Sequence, residues 1–436
     1  MVGRTSYRKA LLALSVACTL VLSPALRADV VVVQPDGGGD ARDLFTALNG
    51  AHDGDTIVLR AGDYSGTDCW GKINGKSLVV TSDGTGDVFV SSILVANLPA
   101  GKRVVLRGLT FDVLNVVTVA GRVQVQDCAG AVLIEDCRLE GVGTPSGGPY
   151  GSLPALVVAG SNAVGVVRST LTGGHGVNLE PACNDAIWVP HTGAPAVLVD
   201  AGRVALHDCV LRGGDGSDHG SKIYPASYAG AAGLQLEGGI AFVSGGSITG
   251  GDGGDYTCVL FAPSPAPGGA GVLADAASSV QILQVDLAGG AGGTVTQSGA
   301  TGLPSGPIEA PPGVALALPG AARSLAIDGP LADAGSGTLV FGGQPGDDVL
   351  LLLSAGVGHV PMPGKFGVLL LAAPLSLVPF GTITDPSGQL VVPFTLPSLG
   401  LGPEASLLLL LQGVFVEAGT VRLGGATSLV VIAPGI

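Results

Sequence analysis

The sequence has few positively charged residues. Its 436 residues include 20 Lys and Arg against 34 Asp and Glu, which gives a formal net charge of −14 at pH 7. This balance argues against nucleic acid or an anionic membrane surface as a partner, because both attract basic proteins. Charged residues make up only 12% of the chain and glycine fills 73 positions. Without a regular pattern, such a composition would predict a low-complexity segment.

A regular pattern is present between residues 132 and 292, where one phrase recurs five times. Each copy contains an apolar anchor followed by glycines, and the anchors are 32 to 40 residues apart. Intervals of this length are typical of repeat architectures. The anchors are Leu139, Leu171, Leu211, Ile248 and Leu287.

Apolar residues alternate at the start of each copy, which is the period of a strand with one buried face. The later copies close on Gly-Gly-x-Gly, a sequence that tolerates positive φ and therefore predicts a corner where the chain leaves the coil. Together these features predict an all-β fold, a right-handed parallel β-helix solenoid. The alternating pairs are Val132 and Ile134, Val164 and Val166, Val204 and Leu206, Ala241 and Val243, and Val280 and Ile282.

The first 28 residues have the pattern of an export signal. Arg4, Arg8 and Lys9 precede an apolar run over residues 10–22, and Ala28 stands where a signal peptidase could cut. We therefore expect residues 1–28 to be a signal peptide and the mature chain to be extracellular or at the cell surface.

The solenoid is expected to occupy residues 29–288 and to begin with a capping helix over residues 43–51, with Leu44, Phe45 and Leu48 on its buried side. A Gly-Asp-Thr-Ile strand and Gly62-Asp63-Tyr64 follow. This stretch resembles the start of bacterial right-handed β-helix proteins. With the repeat, the resemblance covers roughly residues 30 to 300 and implies the pectate-lyase-like superfamily in the broad sense.

Four insertions leave equivalent corners, at about 144–154, 177–195, 217–232 and 254–270. They should lie on one side of the solenoid, where function is usually placed. Their aromatic residues either stack on sugar rings or pack together to keep the loops ordered. The candidate ligand-binding residues are Trp188, Tyr224, Tyr228 and Tyr256.

The corner position itself predicts a ladder of His175, Asp215 and Asp252, repeated three residues on by Asp218 and Asp255. Carboxylates held this close either share a proton or attract a cation such as calcium. These four aspartates are therefore candidate metal ligands. The alternative is that Asp after Gly-Gly is an ordinary solvated turn residue.

Gly174-His175-Gly176 resembles the Gly-His-Gly motif of polygalacturonases, which implies His175, Asp215 and Asp252 as candidate catalytic residues. The companion motifs of that family are absent at matching places. A lyase would instead need a basic residue beside calcium, and Arg212 and Lys222 lie near the predicted corner.

Seven cysteines are present, six of them after residue 28, and an exported chain makes disulfides plausible. Cys137 and Cys209 share a column but are expected to be too far apart to bond, with one coil between them. Cys183 and Cys258, both in loops, are better candidates for a bridge. The chain has no metal-binding Cys-x-x-Cys pair.

Residues 289–322 are rich in Gly, Pro and Ala and predict a linker, followed by a small β-sandwich domain over residues 323–436. Several prolines interrupt the longest uncharged segments there, which counts against a membrane span. The tail resembles a C-terminal module found on many exported bacterial repeat proteins, through Gly343–Gly346, Asp385–Gly388 and Leu411–Gly413.

Two functions follow as expectations. The first is a non-catalytic extracellular scaffold whose loops bind a glycan, that is, an extracellular polysaccharide, or another cell-surface component. The second is a polysaccharide lyase or glycoside hydrolase acting on an acidic polysaccharide. No complete catalytic constellation is present, and fold alone does not give function.

Overall fold

A computed structural model describes residues 28–65, 70–111, 122–143, 152–176, 192–218, 228–256, 264–296, 298–362 and 366–434. Within these ranges the chain forms 38 strands and one helix, so the protein is nearly all β. No helix in the described ranges has the length and apolar character needed to cross a membrane.

Strands of the first 318 residues are short, mostly two to five residues, because the chain turns after each one. They are β1 Ala28–Val33, β2 Thr56–Leu59, β3 Gly62–Tyr64, β4 Trp70–Asn74, β5 Leu78–Ser82, β6 Val88–Val90, β7 Ser92–Ala96, β8 Arg103–Arg107, β9 Thr110–Phe111, β10 Val123–Gln126, β11 Ala131–Glu135, β12 Arg138–Glu140, β13 Leu156–Ala159, β14 Val164–Val167, β15 Thr170–Thr172, β16 Val197–Asp200, β17 Arg203–His207, β18 Val210–Arg212, β19 Leu234–Glu237, β20 Ile240–Ser244, β21 Ser247–Thr249, β22 Val272–Ala274, β23 Ser279–Leu283, β24 Asp286–Ala288, β25 Thr294–Val295, β26 Ala300–Thr301, β27 Ile308–Glu309 and β28 Ala315–Leu318.

Nearly all of these strands belong to three parallel sheets. The first sheet runs β28-β23-β20-β17-β14-β11-β8-β5-β2-β1, the second runs β27-β22-β19-β16-β13-β10-β7-β4, and the third runs β24-β21-β18-β15-β12-β9-β6-β3. From β2 to β24 each sheet takes every third strand of the chain, so the backbone visits the three sheets in turn. This arrangement is consistent with a β-helix-like solenoid.

The register confirms the alignment of the repeat copies. In the third sheet Leu139 pairs with Leu171, Leu171 with Leu211, Leu211 with Ile248, and Ile248 with Leu287. All but the last of these anchors are at most 1% exposed and belong to one interior apolar cluster, and Leu287 packs against it. Like side chains therefore stack along the interior, as the alternation of apolar residues predicts.

Helix α1 (Leu44–Gly50) covers the start of this interior. Asp43 caps it by accepting a hydrogen bond from the Thr46 N–H at 2.7 Å. Leu44 and Leu48 are buried in the interior cluster, as expected, but Phe45 is 43% exposed. The expectation that Phe45 faces the core is therefore wrong, and Ala47 takes that place because it lies three residues from Leu44.

Parallel pairing continues into the range predicted as a linker. Strand β27 pairs with β22 and β28 pairs with β23, which extends the first and second sheets by one strand each. Residues 308–318 thus add a further partial coil.

Strands beyond residue 318 are longer and pair mainly antiparallel, with β30 and β38 as a parallel exception. They are β29 Ser324–Ile327, β30 Leu331–Ala332, β31 Ser336–Gly342, β32 Asp348–Ser354, β33 Gly356–Pro361, β34 Val368–Ala372, β35 Ser376–Thr382, β36 Gln389–Thr395, β37 Ala405–Glu417 and β38 Thr420–Ile432.

This C-terminal part packs on the outer face of the first sheet. Outward-facing Val105, Leu133 and Phe242 form one apolar cluster with Leu410 and Val430. Strand β1 also pairs antiparallel with β37, so the first sheet continues into the C-terminal sheet. The two parts share one apolar interface.

A buried carboxylate lies in this interface. Glu135 is 0% exposed and accepts hydrogen bonds from Arg168, from the Thr427 hydroxyl, and from the Ser428 N–H at 2.8 Å. Burial alone would raise the pKa of Glu135, but the charges of Arg107 and Arg168 and the hydroxyl bonds outweigh it and hold the pKa below its usual value. The carboxylate is therefore ionised and paired.

Candidate functional site

The glycine-rich ends of the repeat copies form a layer of extended backbone beside the sheets, which we call the glycine layer. Outgoing segments follow strands of the third sheet and occupy residues 173–176, 213–218, 250–255 and 289–294. Returning segments lead into strands of the second sheet and occupy residues 192–196, 228–233, 266–271 and 302–306. These segments flank three of the predicted insertions, whose central residues lie outside the described ranges.

Hydrogen bonds join the two rows of segments in alternation. Gly214 N–H donates to the Ala194 carbonyl at 2.8 Å, and Ala231 N–H donates to the Gly214 carbonyl at 2.9 Å. Gly251 and Gly269 continue the same path. In this path the segments are joined by backbone groups.

The bonds repeat every three residues along a segment. A segment with three residues per turn and no internal hydrogen bonds has the geometry of a polyproline II or polyglycine helix. Of every three consecutive residues, two donate their backbone N–H to a carbonyl of a neighbouring segment or strand end. The pairs that establish this period are Gly250 N–H to Ala288 O, Gly253 N–H to Ala291 O, Gly251 N–H to Ala231 O, and Gly254 N–H to Tyr228 O.

Close approach explains why these positions are glycine. A Cβ placed on Gly214 or Gly251 would stand well inside 3.0 Å of a backbone carbonyl, of Gly174 and Gly214 respectively. Neither glycine has a positive φ. The prediction that these glycines serve left-handed corners is therefore wrong: they are required because the backbones touch, not because of their dihedral angles.

The third position of each triplet lines an open cleft of about 370 Å³. His175, Asp215, Asp252 and Ala291 occupy this position in successive coils, as the sequence predicts. Asp252 N–H donates to the Asp215 carboxylate at 2.8 Å, and Ala291 N–H donates to the Asp252 carboxylate at 2.7 Å. Each carboxylate therefore satisfies the one backbone N–H of the next coil that points away from the layer.

Asp218 and Asp255 form a second column three residues further on. Asp255 N–H donates to Asp218 at 2.8 Å, and Thr294 N–H donates to Asp255 at 2.6 Å. The same role repeats because the segment has turned once. The structure thus brings together all four predicted aspartates, and it gives each a backbone partner.

A small charged group surrounds Asp215. His175 Nδ1 lies 3.1 Å from its carboxylate and Arg212 also lies at 3.1 Å, while Asp252 is 3.9 Å from Arg212. Partial burial opposes ionisation of Asp215, but the His175 bond, the Asp252 N–H and the Arg212 charge together lower its pKa to about 2. Asp215 is therefore a poor general acid or base at neutral pH.

Metal binding is limited by how these oxygens are used. Within the described residues no group of three or more His, Cys, Asp or Glu side chains is arranged to hold a metal ion. Carboxylate oxygens that already accept backbone N–H bonds are less available to calcium, which takes six to eight oxygen ligands. Asp215, Asp252, Asp218 and Asp255 would be the residues to supply them.

The predicted aromatic residues divide into two groups. Tyr256 is 0% exposed and packs on Val295, so it offers no free ring face to a sugar. Tyr228 is half-buried and its carbonyl accepts the Gly254 N–H at 2.9 Å. Trp188 and Tyr224 lie outside the described residues, as does Lys222.

The described cysteines are buried free thiols. Cys137 and Cys209 face the interior, and burial raises the pKa of each to about 12. Their separation agrees with the expectation that they do not bond. The proposed partners Cys183 and Cys258 lie outside the described residues, and no disulfide joins residues within them.

A sequence signal for the glycine layer is present. The copies read Gly173-Gly174-His175, Gly213-Gly214-Asp215, Gly250-Gly251-Asp252 and Gly289-Gly290-Ala291, and the last two continue with a second Gly-Gly-x triplet. A three-residue period with two glycines indicates packed extended backbone. Interpreting each glycine as an independent turn residue misses the three-residue period of Gly-Gly-x.

Comparison with known proteins adds no assignment. The chain matches no protein-family model and no curated protein sequence.

Proposed function

We propose that this chain is an exported, non-catalytic extracellular scaffold, a right-handed parallel β-helix of the pectate-lyase-like type, whose loops on one side bind a glycan or another cell-surface component. Residues 1–28 would be its signal peptide and residues 323–436 a β-sandwich module.

The glycine layer is the observation that carries this proposal. It bonds the outgoing and returning segments that flank three of the insertions to one another through backbone groups, so the described ends of these insertions lie side by side. Neighbouring strands in a sheet are about 4.8 Å apart. A row of rigid segments at that spacing suits recognition of an extended repeating polymer.

The proposed use of the aspartate columns is structural. His175, Asp215 and Asp252 each lie within the layer, and both carboxylates hold a backbone N–H of the next coil. Their loss would loosen the segments that carry the loops. This role needs neither a proton transfer nor a metal.

Binding to immobilised polysaccharides tests the proposal. Mature protein would be applied to polygalacturonate, alginate and an uncharged dextran, and its retention measured in affinity electrophoresis. The Trp188→Ala, Tyr224→Ala double variant should lose binding at least tenfold, if each aromatic contributes as much to a sugar as to a stacked nucleobase, roughly 1–3 kcal/mol. Phe45→Ala, an exposed aromatic on the capping helix, is the matched control.

Two outcomes would refute the loop-binding role. One is absence of retention on every polysaccharide and on whole cells. The other is retention that the double variant keeps in full.

The second candidate function is a polysaccharide lyase or glycoside hydrolase, possible because Arg212, His175 and two carboxylates meet in the same open cleft. Incubation with polygalacturonate and calcium would reveal a lyase by ultraviolet absorbance of the unsaturated product, and a hydrolase by new reducing ends. Turnover that disappears in Arg212→Gln or Asp215→Asn would replace the scaffold proposal by the enzymatic one.

A further inference from the structure

A second cleft lies on a different side of the molecule, between the outer face of the first sheet and the hairpin of β33 and β34. Its volume is about 350 Å³, within the range of small-molecule sites, which often form where two parts of a chain meet. Nothing in the proposed glycan-binding role uses it.

The floor of this cleft carries several apolar side chains on an outer sheet surface, together with the polar Gln281. Phe242 pairs with Gln281 and Gln281 with Leu316 across β20, β23 and β28, so the three side chains lie in one outward row. Ile240 beside them is 40% exposed and Leu316 is 53% exposed. Apolar area left in water at a concave site favours an apolar ligand.

The roof contributes apolar groups and one polar atom without a partner. Met362 and Phe366 line the cleft from the hairpin, together with His359. Nδ1 of His359 is buried and has no hydrogen-bond partner in the described structure. A buried polar atom without a partner carries an unfavourable desolvation free energy. A ligand that forms a hydrogen bond with this atom therefore also removes that penalty.

A positively charged residue neighbours one of the residues that line the cleft. Arg203 is exposed and pairs in register with Ile240, which lines the cleft. None of the described acidic residues forms an ion pair with Arg203. Burial, followed by repulsion from the positive charge of Arg203, lowers the pKa of His359 to about 4. His359 is therefore neutral at pH 7 and can donate or accept one hydrogen bond.

We propose that this cleft binds a free medium-chain fatty acid, with its acyl chain over Phe242 and Leu316 and its carboxylate between Arg203 and His359. The apolar side chains of floor and roof match the acyl chain. Among the described residues, Arg203 and one unpaired imidazole nitrogen match a single carboxylate. An uncharged chain of the same length lacks the second interaction.

Displacement of the fluorescent probe 1-N-phenylnaphthylamine tests the assignment at pH 8, with decanoate and decanol as competitors. Decanoate should displace the probe at a lower concentration than decanol. Arg203→Gln should weaken decanoate about fivefold, the effect of one exposed ion pair, and leave decanol unchanged. Arg42→Gln removes an exposed arginine elsewhere and should change neither competitor.

Leu316→Trp fills the cleft from an exposed position and should abolish displaceable probe binding. Leu303→Trp adds the same ring at a residue that is 79% exposed and outside the cleft, so it should bind as the wild type does. Absence of displaceable binding, or binding that Leu316→Trp retains, would overturn the site. An equal loss of affinity for decanoate and decanol in Arg203→Gln would overturn the assignment of a carboxylate to the ligand.

Discussion

The three parallel sheets and the segments that connect them make contacts of two contrasting kinds. On the outer face of its first sheet, side chains from both parts interdigitate around the buried Glu135. In the glycine layer, the glycine backbones of neighbouring segments touch directly through carbonyl and N–H groups. Contacts made by side chains depend on which chemical groups meet, whereas contacts made by backbone depend on the absence of any side chain.

The largest effect is expected from Glu135→Gln. The change removes the fully buried carboxylate that Arg107 and Arg168 face, and breaking a buried ion pair costs about 3–5 kcal/mol. Asp136 still lies 3.5 Å from Arg107 and 2.9 Å from Arg168, so we expect a loss at the lower end of this range. Urea unfolding of the variant measures this loss. Glu140→Gln removes the partially exposed partner of Arg138 and should cost less than about 1 kcal/mol. Equal midpoints for the two variants would mean that Glu135 does not stabilise the interface.

Gly214→Ala should follow, with a loss of about 2–3 kcal/mol, because its Cβ meets backbone that cannot rotate away. The control is Gly50→Ala at the end of α1, where nothing lies within 4 Å of the new methyl group. That substitution should be neutral or stabilise by up to about 1 kcal/mol. The measurement is the midpoint temperature of thermal unfolding of both variants. A midpoint of Gly214→Ala equal to that of the wild type would contradict close backbone contact in the layer.

His207 makes the side-chain interface sensitive to acid. It is fully buried beside Phe242 and neither ring nitrogen has a partner in the described structure, and burial lowers its pKa to about 3. Between pH 6.5 and 3, His207 therefore binds a proton in the unfolded chain but not in the folded protein. Stability from this group is therefore complete above pH 6.5 and is lost as the pH falls toward 3.

His207→Leu should match or exceed wild-type stability at pH 7 and should reduce the fall between pH 7 and pH 4 by about 2 kcal/mol. Asp208, whose pKa burial raises to about 6, acts in the opposite direction in both proteins and cancels in the difference. His52→Gln, in which the replaced side chain is 87% exposed, should keep the wild-type slope. An unchanged slope in His207→Leu would exclude His207 as the source.

The smallest effect is expected in the aspartate columns. Asp252→Ala removes the acceptor of the Ala291 N–H and should cost about 1 kcal/mol, whereas Asp252→Asn keeps an oxygen there and should cost less. Melts with calcium and with chelator separate this role from the predicted metal site. A calcium-dependent rise that the Asp215→Ala, Asp252→Ala double variant lacks would establish cation binding.

Much of the candidate site followed from the repeat alone. The alignment on Leu139 and its equivalents placed His175, Asp215 and Asp252 side by side, because strands in register carry their flanking residues into register. Their hydrogen bonds to the next coil's backbone did not follow, since they depend on how the segments after the strands pack. The sequence left open whether Tyr256 stacks on a sugar or packs within the protein, and the structure shows that it is buried against Val295.

The sequence by itself determined the strands, their register and the capping helix, because alternation and spacing are local properties of the chain. Only the tertiary structure decided what covers the first sheet and why the glycines are needed. Glu135 meets Thr427 and Ser428 across 292 and 293 residues of chain, a distance over which no local pattern specifies a contact. The Gly214 carbonyl likewise meets backbone from separate coils, and that approach exists only once the coils have stacked.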